Sequence, residues 1–162
     1  MSTETNVERL REVGLFGGLS DASLVELAGA HDLVDAPPGD AVFHEGDAGR
    51  EMFIVLDGEI ELYRTVRGAE RRIALVAQND WFGEMSLLDY QPRPTSARVL
   101  RQARLLRVTG RDLDHLYRRD MKGYALLLLN IAREMSRRLR AIDALTAERD
   151  PPPTDGKAPV KL

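Results

Sequence analysis

The sequence predicts an α+β protein in which short helices precede an antiparallel β-sandwich, roll or barrel, and two further helices follow it. Turn-forming groups recur about every ten residues between residues 35 and 68, separated by short runs rich in β-branched and aromatic residues. After Gly110, apolar residues recur every three or four positions, as in a helix. Strands and helices are therefore grouped, which excludes repeated βαβ units.

Two short helices are predicted before the strands. Residues 7–13 have the composition of a short helix, and residues 15–19 form a turn that contains two glycines. Ser20 and Asp21 offer an N-cap to a second helix, in which apolar residues follow at helical spacing.

Short strands separated by turns are predicted over about residues 33–108. Ile60 and Leu62 alternate with Glu59 and Glu61, as in a strand with one buried face. The strand-forming runs are 41–43, 52–56, 60–63, 73–76 and two more between 98 and 108, on either side of residues 101–102. The turns that separate the early strands contain Gly39, Gly46 and Gly58, which we interpret as turn residues and not as phosphate-binding glycines.

Two helices are predicted to close the domain. Thr109 and Gly110 precede a short helix, and a long helix runs from Met121 to about Thr146. One apolar seam follows the long helix, formed by Leu128, Ile131, Met135, Leu139, Ile142 and Leu145. This seam packs either on the strands of its own chain or on the same helix of a second chain.

The domain prediction follows from these elements. Residues 1–147 form one domain, with the β-structure at about 33–108 and the closing helices at about 110–147. Residues 148–162 contain a run of three prolines and little apolar material, which predicts a disordered tail.

Composition narrows the classes of function. The 162 residues include no cysteine, which excludes disulfides, thiolate metal sites and a cysteine nucleophile. The longest apolar run, residues 124–129, is too short to cross a bilayer. The N-terminus lacks the basic and apolar regions of a secretory signal, so we expect a cytoplasmic protein without membrane contact.

Charge is distributed unevenly, although the formal net charge is only −3. Residues 1–81 carry 16 acids and 7 bases (net −9), and residues 82–162 carry 10 acids and 16 bases (net +6). Such asymmetry is found in nucleic-acid-binding proteins. The sequence offers no recognition helix or aromatic platform, however, and ends before a helix-turn-helix could follow, so we expect no DNA binding.

The segment 82–97 holds the densest group of candidate binding residues. Gly83 follows a predicted strand, the carboxylate of Glu84 comes next, and Arg93 lies nine residues later in a loop interrupted by prolines. Backbone N–H groups and an arginine fork bind anions, and a carboxylate accepts hydrogen bonds from sugar hydroxyls. The arrangement fits a phosphorylated sugar, and it also fits a surface ion pair.

This segment resembles the phosphate-binding cassette of the cyclic-nucleotide-binding domain family, which includes catabolite-activator-type regulators, protein kinase A regulatory subunits and nucleotide-gated channels. The resemblance covers about residues 14–146 and rests on Phe-Gly-Glu-Met-Ser-Leu at 82–87, Pro-Arg at 92–93, and the motifs at 38–40, 44–47 and 52–59. It implies an eight-stranded antiparallel β-roll, a double-stranded β-helix or jelly-roll, with short N-terminal helices and two C-terminal helices. It also implies cAMP or cGMP as ligand, and no cofactor.

The resemblance implies roles for individual residues. Glu84 corresponds to the glutamate that holds the ribose 2′-hydroxyl, and Arg93 to the arginine that pairs with the cyclic phosphate. Gly83, Met85 and Ser86 correspond to residues whose backbone lines the phosphate and ribose. Candidates on the long helix to cover the base are Tyr124, Leu127, Leu128 and Ile131.

Pro94 departs from the family pattern. The residue at this position in the family donates its backbone N–H to the phosphate, and proline has no N–H. The loss of one such hydrogen bond weakens binding by about 1.5–3 kcal/mol, or about ten- to a hundredfold. The hydroxyl groups of Thr95 and Ser96 are candidates to replace the lost donor. The residue that indicates cAMP or cGMP preference in some relatives is also this one, so the preference stays open.

We therefore expect a stand-alone cyclic nucleotide sensor that is not an enzyme. Ligand binding moves the long helix, and the signal passes to an effector protein or to a second copy in a homodimer. The alternative is a protein-interaction module that keeps the fold without binding nucleotide, in which Glu84 and Arg93 pair with each other or with Arg98.

A metal-dependent enzyme of the cupin type is a third hypothesis. It requires clustered histidines, whereas His31, His44 and His115 fall in three separate elements. The sequence also has no serine–histidine–aspartate set and no P-loop motif, so we expect neither a metal site nor catalysis.

Overall fold

The N-terminal helices form as predicted. The computed structural model describes residues 3–29 and 33–149. Helix α1 spans Thr3–Glu12, a 3₁₀ turn spans Gly14–Phe16, and helix α2 spans Asp21–Gly29. The predicted N-cap of α2 is confirmed, because the backbone N–H of Ser23 donates to Ser20 Oγ at 3.2 Å.

Six strands form one antiparallel sheet within the described ranges. They are β1 (Leu33–Ala36), β2 (Ala41–Phe43), β3 (Glu51–Val66), β4 (Ala69–Ala77), β5 (Trp81–Phe82) and β6 (Ser96–Thr109). Strand β6 pairs with β1, β2 and β3, and β3 pairs also with β4 and β5. The two long strands therefore form the centre of the sheet.

The α+β class and the roll architecture are confirmed, and the long strands explain the strand count. Strand β3 continues through Gly58, and β6 continues through residues 101–102, where the sequence predicted turns. The register between them shifts three times from Val55 to Ile60, so bulges accommodate the turn residues without ending the strand. Gly58 lies so close to Ala103 that an added Cβ would collide with it. Each long strand thus takes the place of two predicted ones.

Aromatic packing fills the interior of the roll next to the loop that precedes β6. The rings of Phe43, Phe53 and Phe82 lie 5.3–6.3 Å apart between centroids. Val55, Leu105 and other buried apolar residues extend this cluster. Its position matters because Phe43 and Phe82 both lie beside the segment with the candidate binding residues.

The closing helices are confirmed and belong to a second core. Helix α4 spans Gly110–Arg119, and α5 spans Met121–Arg149. Thr109 begins α4 with a capping box, in which its side chain and that of Asp112 each accept the other's backbone N–H. Leu127 and Ile131 of α5 are buried in a cluster with residues of α1, α2, α4 and the strands. This second core attaches the helices to one side of the roll.

Beyond Ile131, the apolar seam of α5 leaves the core. Met135 is 39% exposed, and Leu139, Ile142 and Leu145 are 58–60% exposed. The seam therefore packs on its own chain only at its N-terminal end. Most of the predicted tail, residues 150–162, lies outside the described residues.

None of the helices in the described ranges is both long enough and apolar enough to cross a membrane.

Candidate functional site

The candidate site is the segment between β5 and β6, which contains the short helix α3 (Glu84–Asp89). Strand β5 pairs with β3 and ends at Phe82, and Gly83 then adopts a left-handed conformation with φ of 84°. A Cβ at Gly83 would lie 2.9 Å from Arg93 Nη1. The glycine is therefore required both for its backbone conformation and for the approach of the arginine.

Arg93 is 2% exposed and is held from several sides. Its Nη1 donates to the carbonyl oxygens of Gly83 and Glu51 at 2.8 and 2.9 Å, and its Nη2 donates to Glu51 Oε1 at 2.8 Å. The guanidinium carbon lies 4.2 Å from the centroid of the Phe43 ring. The Arg93 backbone forms hydrogen bonds in both directions with the loop 46–47. The side chain is thus fixed before any ligand arrives.

One nitrogen of the Arg93 guanidinium group has no partner among the described residues. Arg93 Nε is buried and forms no hydrogen bond. Gly49 faces this nitrogen, since an added Cβ would collide with Nε and with the guanidinium carbon. A buried donor left unpaired costs about 1–3 kcal/mol. Nε is thus a buried donor without an acceptor among the described residues, and anions are the acceptors that pair most strongly with an arginine.

Two further buried side-chain atoms without hydrogen bonds lie in the same short stretch. They are Trp81 Nε1 and Ser86 Oγ, and with Arg93 Nε they complete the set found in the described part of the chain. Native interiors pair nearly all such groups. All three can donate a hydrogen bond, but Trp81 packs in the helical core, whereas Arg93 lies against Phe43 in the interior of the roll.

Glu84 begins α3 and is 4% exposed. Its Oε1 accepts from Arg138 Nη1 of helix α5 at 3.2 Å. Burial raises the pKa of Glu84 above its ordinary value, while the positive charges of Arg138 and Arg93 oppose that rise and the negative charge of Glu134 adds to it. The Glu84 carboxyl and the Arg93 guanidinium are thus both buried in the segment between β5 and β6, and their roles as ligand contacts stay predictions.

The ion pairs that the alternative hypothesis requires are absent from the described residues. Arg93 pairs with Glu51, and Glu84 pairs with Arg138. Arg98 pairs instead with Glu61 and Glu70. The expectation that Glu84 and Arg93 would pair with each other or with Arg98 is wrong, because strand β6 directs Arg98 to a different carboxylate pair.

The remaining predicted residues differ in exposure. Met85 is 44% exposed, Thr95 is half-buried, and Ser96 is buried. The Ser96 hydroxyl already accepts from the backbone N–H of Glu45 at 2.9 Å. It stays a prediction that the hydroxyl group of Thr95 or Ser96 replaces the backbone donor that Pro94 lacks.

Leu127 and Ile131, two candidates to cover the base, are buried in the helical core, and Tyr124 and Leu128 pack against it. Tyr124 also contacts the ring of Tyr117. The α5 side chain that contacts the cassette is Arg138, whose guanidinium carbon lies 5.8 Å from the centroid of Trp81. That one of these four residues covers the base of a bound nucleotide stays a prediction.

Sequence reasoning missed four residues of the site: Phe43, Gly49, Glu51 and Arg138. Phe43 was assigned only to a predicted strand, and Gly49, Glu51 and Arg138 were given no role in binding. Glu51 lies 42 residues from Arg93 and Arg138 lies 54 residues from Glu84, so no local spacing connects them. A buried arginine requires a carboxylate partner, and that requirement was the one available signal.

No group of three or more potential metal ligands lies close together in the parts of the chain that the structure describes. His31 is outside those parts, and His44 lies 3.8 Å from Asp47 on the surface. His115 lines a separate open cleft of about 890 Å³ between α2 and α4, to which no residue of the cassette contributes.

Comparisons with known proteins agree with this geometry. A family model described as "Cyclic nucleotide-binding domain" matches residues 33–120. The chain is 38% identical over 108 residues to the cyclic AMP receptor protein of Thermus thermophilus, covering 66% of this chain and 48% of that protein. It is 30% identical over 134 residues to a CRP-like cAMP-activated global transcriptional regulator of Mycobacterium tuberculosis, covering 82% of this chain and 58% of that protein. The chain thus spans about half the length of these curated relatives.

Solved structures show the same fold. The crystal structure of the Thermus thermophilus catabolite activator protein is 33% identical with a TM-score of 0.73, over 83% of this chain and 62% of that one. A cyclic nucleotide-binding domain from Methylobacillus flagellatus has a TM-score of 0.79 over 94% of this chain and 86% of that one. Its identity is 22%, so it supports the fold alone.

Proposed function

The chain belongs to the cyclic nucleotide-binding domain family, and from that membership we propose that it binds cAMP or cGMP as a regulatory module of the cytoplasm. A binding role fits the site better than an enzymatic one, because the cassette offers groups that hold a phosphate and a sugar. Two relatives are a cyclic AMP receptor protein and a cAMP-activated regulator, so cAMP is the first ligand to test.

The observation that carries the proposal is the buried arginine with one unpaired edge. In the proposed complex the cyclic phosphate accepts from Arg93 Nε, the donor that no group of the described chain uses. In this complex the other guanidinium nitrogens keep their bonds to Glu51 and Gly83, and the groups that bury Nε, Gly49 among them, move to admit the phosphate. Glu84 accepts from a ribose hydroxyl at the start of α3.

The proposed output is a change in the position of helix α5. A ligand shifts such an equilibrium only if it binds one helix position more tightly than the other. The exposed seam at Leu139, Ile142 and Leu145 is the proposed surface for a second copy of the chain or for an effector protein.

A protein-interaction module that binds no nucleotide is the second candidate. Pro94 favours it, because the loop lacks the backbone donor that the family supplies at this position. The unpaired hydroxyl of Ser86 weighs against it, since a buried hydroxyl without a partner suits a site that binds a polar ligand.

Calorimetric titration with cAMP and cGMP tests the proposal. We expect wild-type protein to bind one of them with a dissociation constant of about micromolar or tighter. Arg93→Ala should weaken binding by about a hundredfold or more, because it removes a buried charged donor. Gly49→Ala should also weaken it, because the added Cβ displaces the guanidinium group.

Gly14→Ala is the matched control for Gly49→Ala. An added Cβ at Gly14 meets no atom within 4 Å, so binding should be unchanged. Circular dichroism of each variant verifies folding. If folded, ligand-free wild-type protein releases no heat with either nucleotide up to about millimolar concentration, the sensor function is rejected and the interaction module is retained.

A further inference from the structure

Arg138 is a polar bridge from helix α5 to the cassette. It lies seven residues beyond Ile131, where the buried part of α5 ends in the described chain. Its Nη1 donates to Glu84 Oε1 at 3.2 Å, and its Nε donates to Glu134 Oε1 at 3.2 Å. Its guanidinium carbon also lies over the ring of Trp81. This side chain thus contacts Glu84 of the cassette and Trp81 of the strand that precedes it.

We propose that Arg138 is a positioning residue of the nucleotide site, which holds the Glu84 carboxylate for the ligand's sugar and so connects ligand binding to the position of α5. This inference rests on the proposed function. Arg138 contacts one oxygen of Glu84, and a carboxylate accepts hydrogen bonds at two oxygens. The arginine and a sugar hydroxyl can therefore share the group.

The charges around Glu84 explain why the arginine supports binding instead of competing with it. Glu84 faces Arg138 and Glu134 from α5, and Arg93 from the loop before β6. Burial favours the protonated carboxyl, which carries no charge and is a poorer acceptor. In a protein without Arg138, the negative charge of Glu134 would still raise the pKa of Glu84. Of the two arginines, only Arg93 would then oppose that rise. The charge of Arg138 therefore opposes the rise in the Glu84 pKa that burial causes and favours the ionised carboxylate, the stronger acceptor for a sugar hydroxyl.

The same contact couples the helix to the ligand. The apolar residues of α5 after Ile131 are largely exposed, so few packing contacts hold this part of the helix to the roll. If Arg138 on α5 strengthens ligand binding, then the ligand must strengthen the attachment of α5 by the same factor. The Arg138–Glu84 contact is the physical link that such a coupling needs.

Two adjacent arginines of α5 provide a test variant and its matched control. Arg138→Gln removes the charge that faces Glu84. Arg137→Gln is the matched control, because Arg137 also donates to Glu134 but is 66% exposed and has no recorded contact with Glu84. Both full-length variants, wild type and Arg93→Ala are titrated with whichever of cAMP and cGMP wild type binds more tightly, at about pH 7.5 and about pH 6.

We expect Arg138→Gln to raise the dissociation constant about tenfold at the higher pH and by a clearly larger factor at the lower pH. Arg137→Gln should match wild type at both. A second readout needs no ligand: Trp81 is the single tryptophan of the chain, so its emission should shift in Arg138→Gln and not in Arg137→Gln. Amide hydrogen exchange over residues 134–146 should also be faster in Arg138→Gln.

The outcomes separate this inference from the proposed function. If wild type binds, Arg93→Ala does not, and Arg138→Gln matches wild type at both pH values, the positioning role is overturned and the sensor function stands. An equal loss at both pH values also overturns it, because a merely structural role would not depend on the ionisation of Glu84. If wild-type protein binds neither nucleotide, the proposed function fails and this inference fails with it.

Discussion

Arg93 shows how a charged side chain is kept inside this protein. Burial of a guanidinium group is costly unless acceptors surround it. Here the Glu51 carboxylate and two backbone carbonyls supply those acceptors, and the glycines at 49 and 83 provide the space. The fold uses three of its N–H donors, and Nε is buried without an acceptor among the described residues.

Glu84 leads to a prediction on pH and stability. Its pKa is raised in the folded protein, mainly by burial, so the folded state binds a proton more readily than the unfolded state does. The unfolding free energy should therefore increase as the pH falls through the raised value towards the ordinary glutamate value. Glu84→Gln removes the buried charge, so it should raise the thermal midpoint of ligand-free protein at neutral pH and lower ligand affinity about tenfold.

Thermal unfolding of wild type and Glu84→Gln between about pH 8 and pH 5 checks this prediction. The difference in thermal midpoint between Glu84→Gln and wild type should shrink as the pH falls, because Glu84 of the wild type becomes protonated. A variant that is less stable than wild type at neutral pH would show that the Arg138 contact outweighs the burial of the charge.

At the scale of elements, the junction of α4 and α5 depends on Asp120. Its carboxylate accepts from Ser23 Oγ of α2 at 2.6 Å and from the Gly123 backbone N–H at 2.9 Å. These hydrogen bonds lower the pKa of Asp120, so they stabilise the fold above the ordinary aspartate pKa and are lost as the pH falls through the lowered value. One carboxylate therefore caps α5 and attaches it to α2.

Asp120→Ala should lower the thermal midpoint at neutral pH, because both α5 and Ser23 lose a partner. Asp114→Ala is the matched control. Asp114 forms an exposed pair with Arg118 within α4, and such pairs contribute little. Equal midpoints for the two variants, measured by differential scanning calorimetry, would contradict a structural role for the junction.

At the scale of the whole molecule, the open question is what covers the exposed end of the α5 seam. Leu139, Ile142 and Leu145 lie at helical spacing, and each is more than half exposed. Contiguous apolar surface of this kind is typical of a contact with another chain. Their spacing of three residues keeps them on one face of the helix, which suits a helix pair between two copies.

We expect wild-type protein to self-associate and the Leu139→Glu/Ile142→Glu double variant to be monomeric, since each glutamate would place a charge in the helix pair. Sedimentation velocity over a range of concentrations measures this. Leu75→Glu, at an exposed apolar position of β4, serves as the control and should behave as wild type does. Wild-type protein that sediments as a monomer at every concentration would argue for an effector protein on this surface instead of a second copy.

The order of the elements and the position of the cassette in the chain can be predicted from local patterns alone. Turn glycines, alternating strands and helical spacing act over a few residues, so they can be identified without a tertiary structure. The same is true of Glu84 and Arg93, because the cassette places them nine residues apart in one segment. The number of strands could not be predicted in the same way. Only the pairing with β6 shows that β3 continues through Gly58 as a bulged strand.

The tertiary structure decided which partners these residues have. Glu51 reaches Arg93 across 42 residues of sequence, and Arg138 reaches Glu84 across 54. Gly49 matters only because the folded chain directs the Arg93 side chain across it. The physical reason is that burial and charge pairing arise from contacts between distant segments, whereas a sequence pattern records only what neighbouring residues can do.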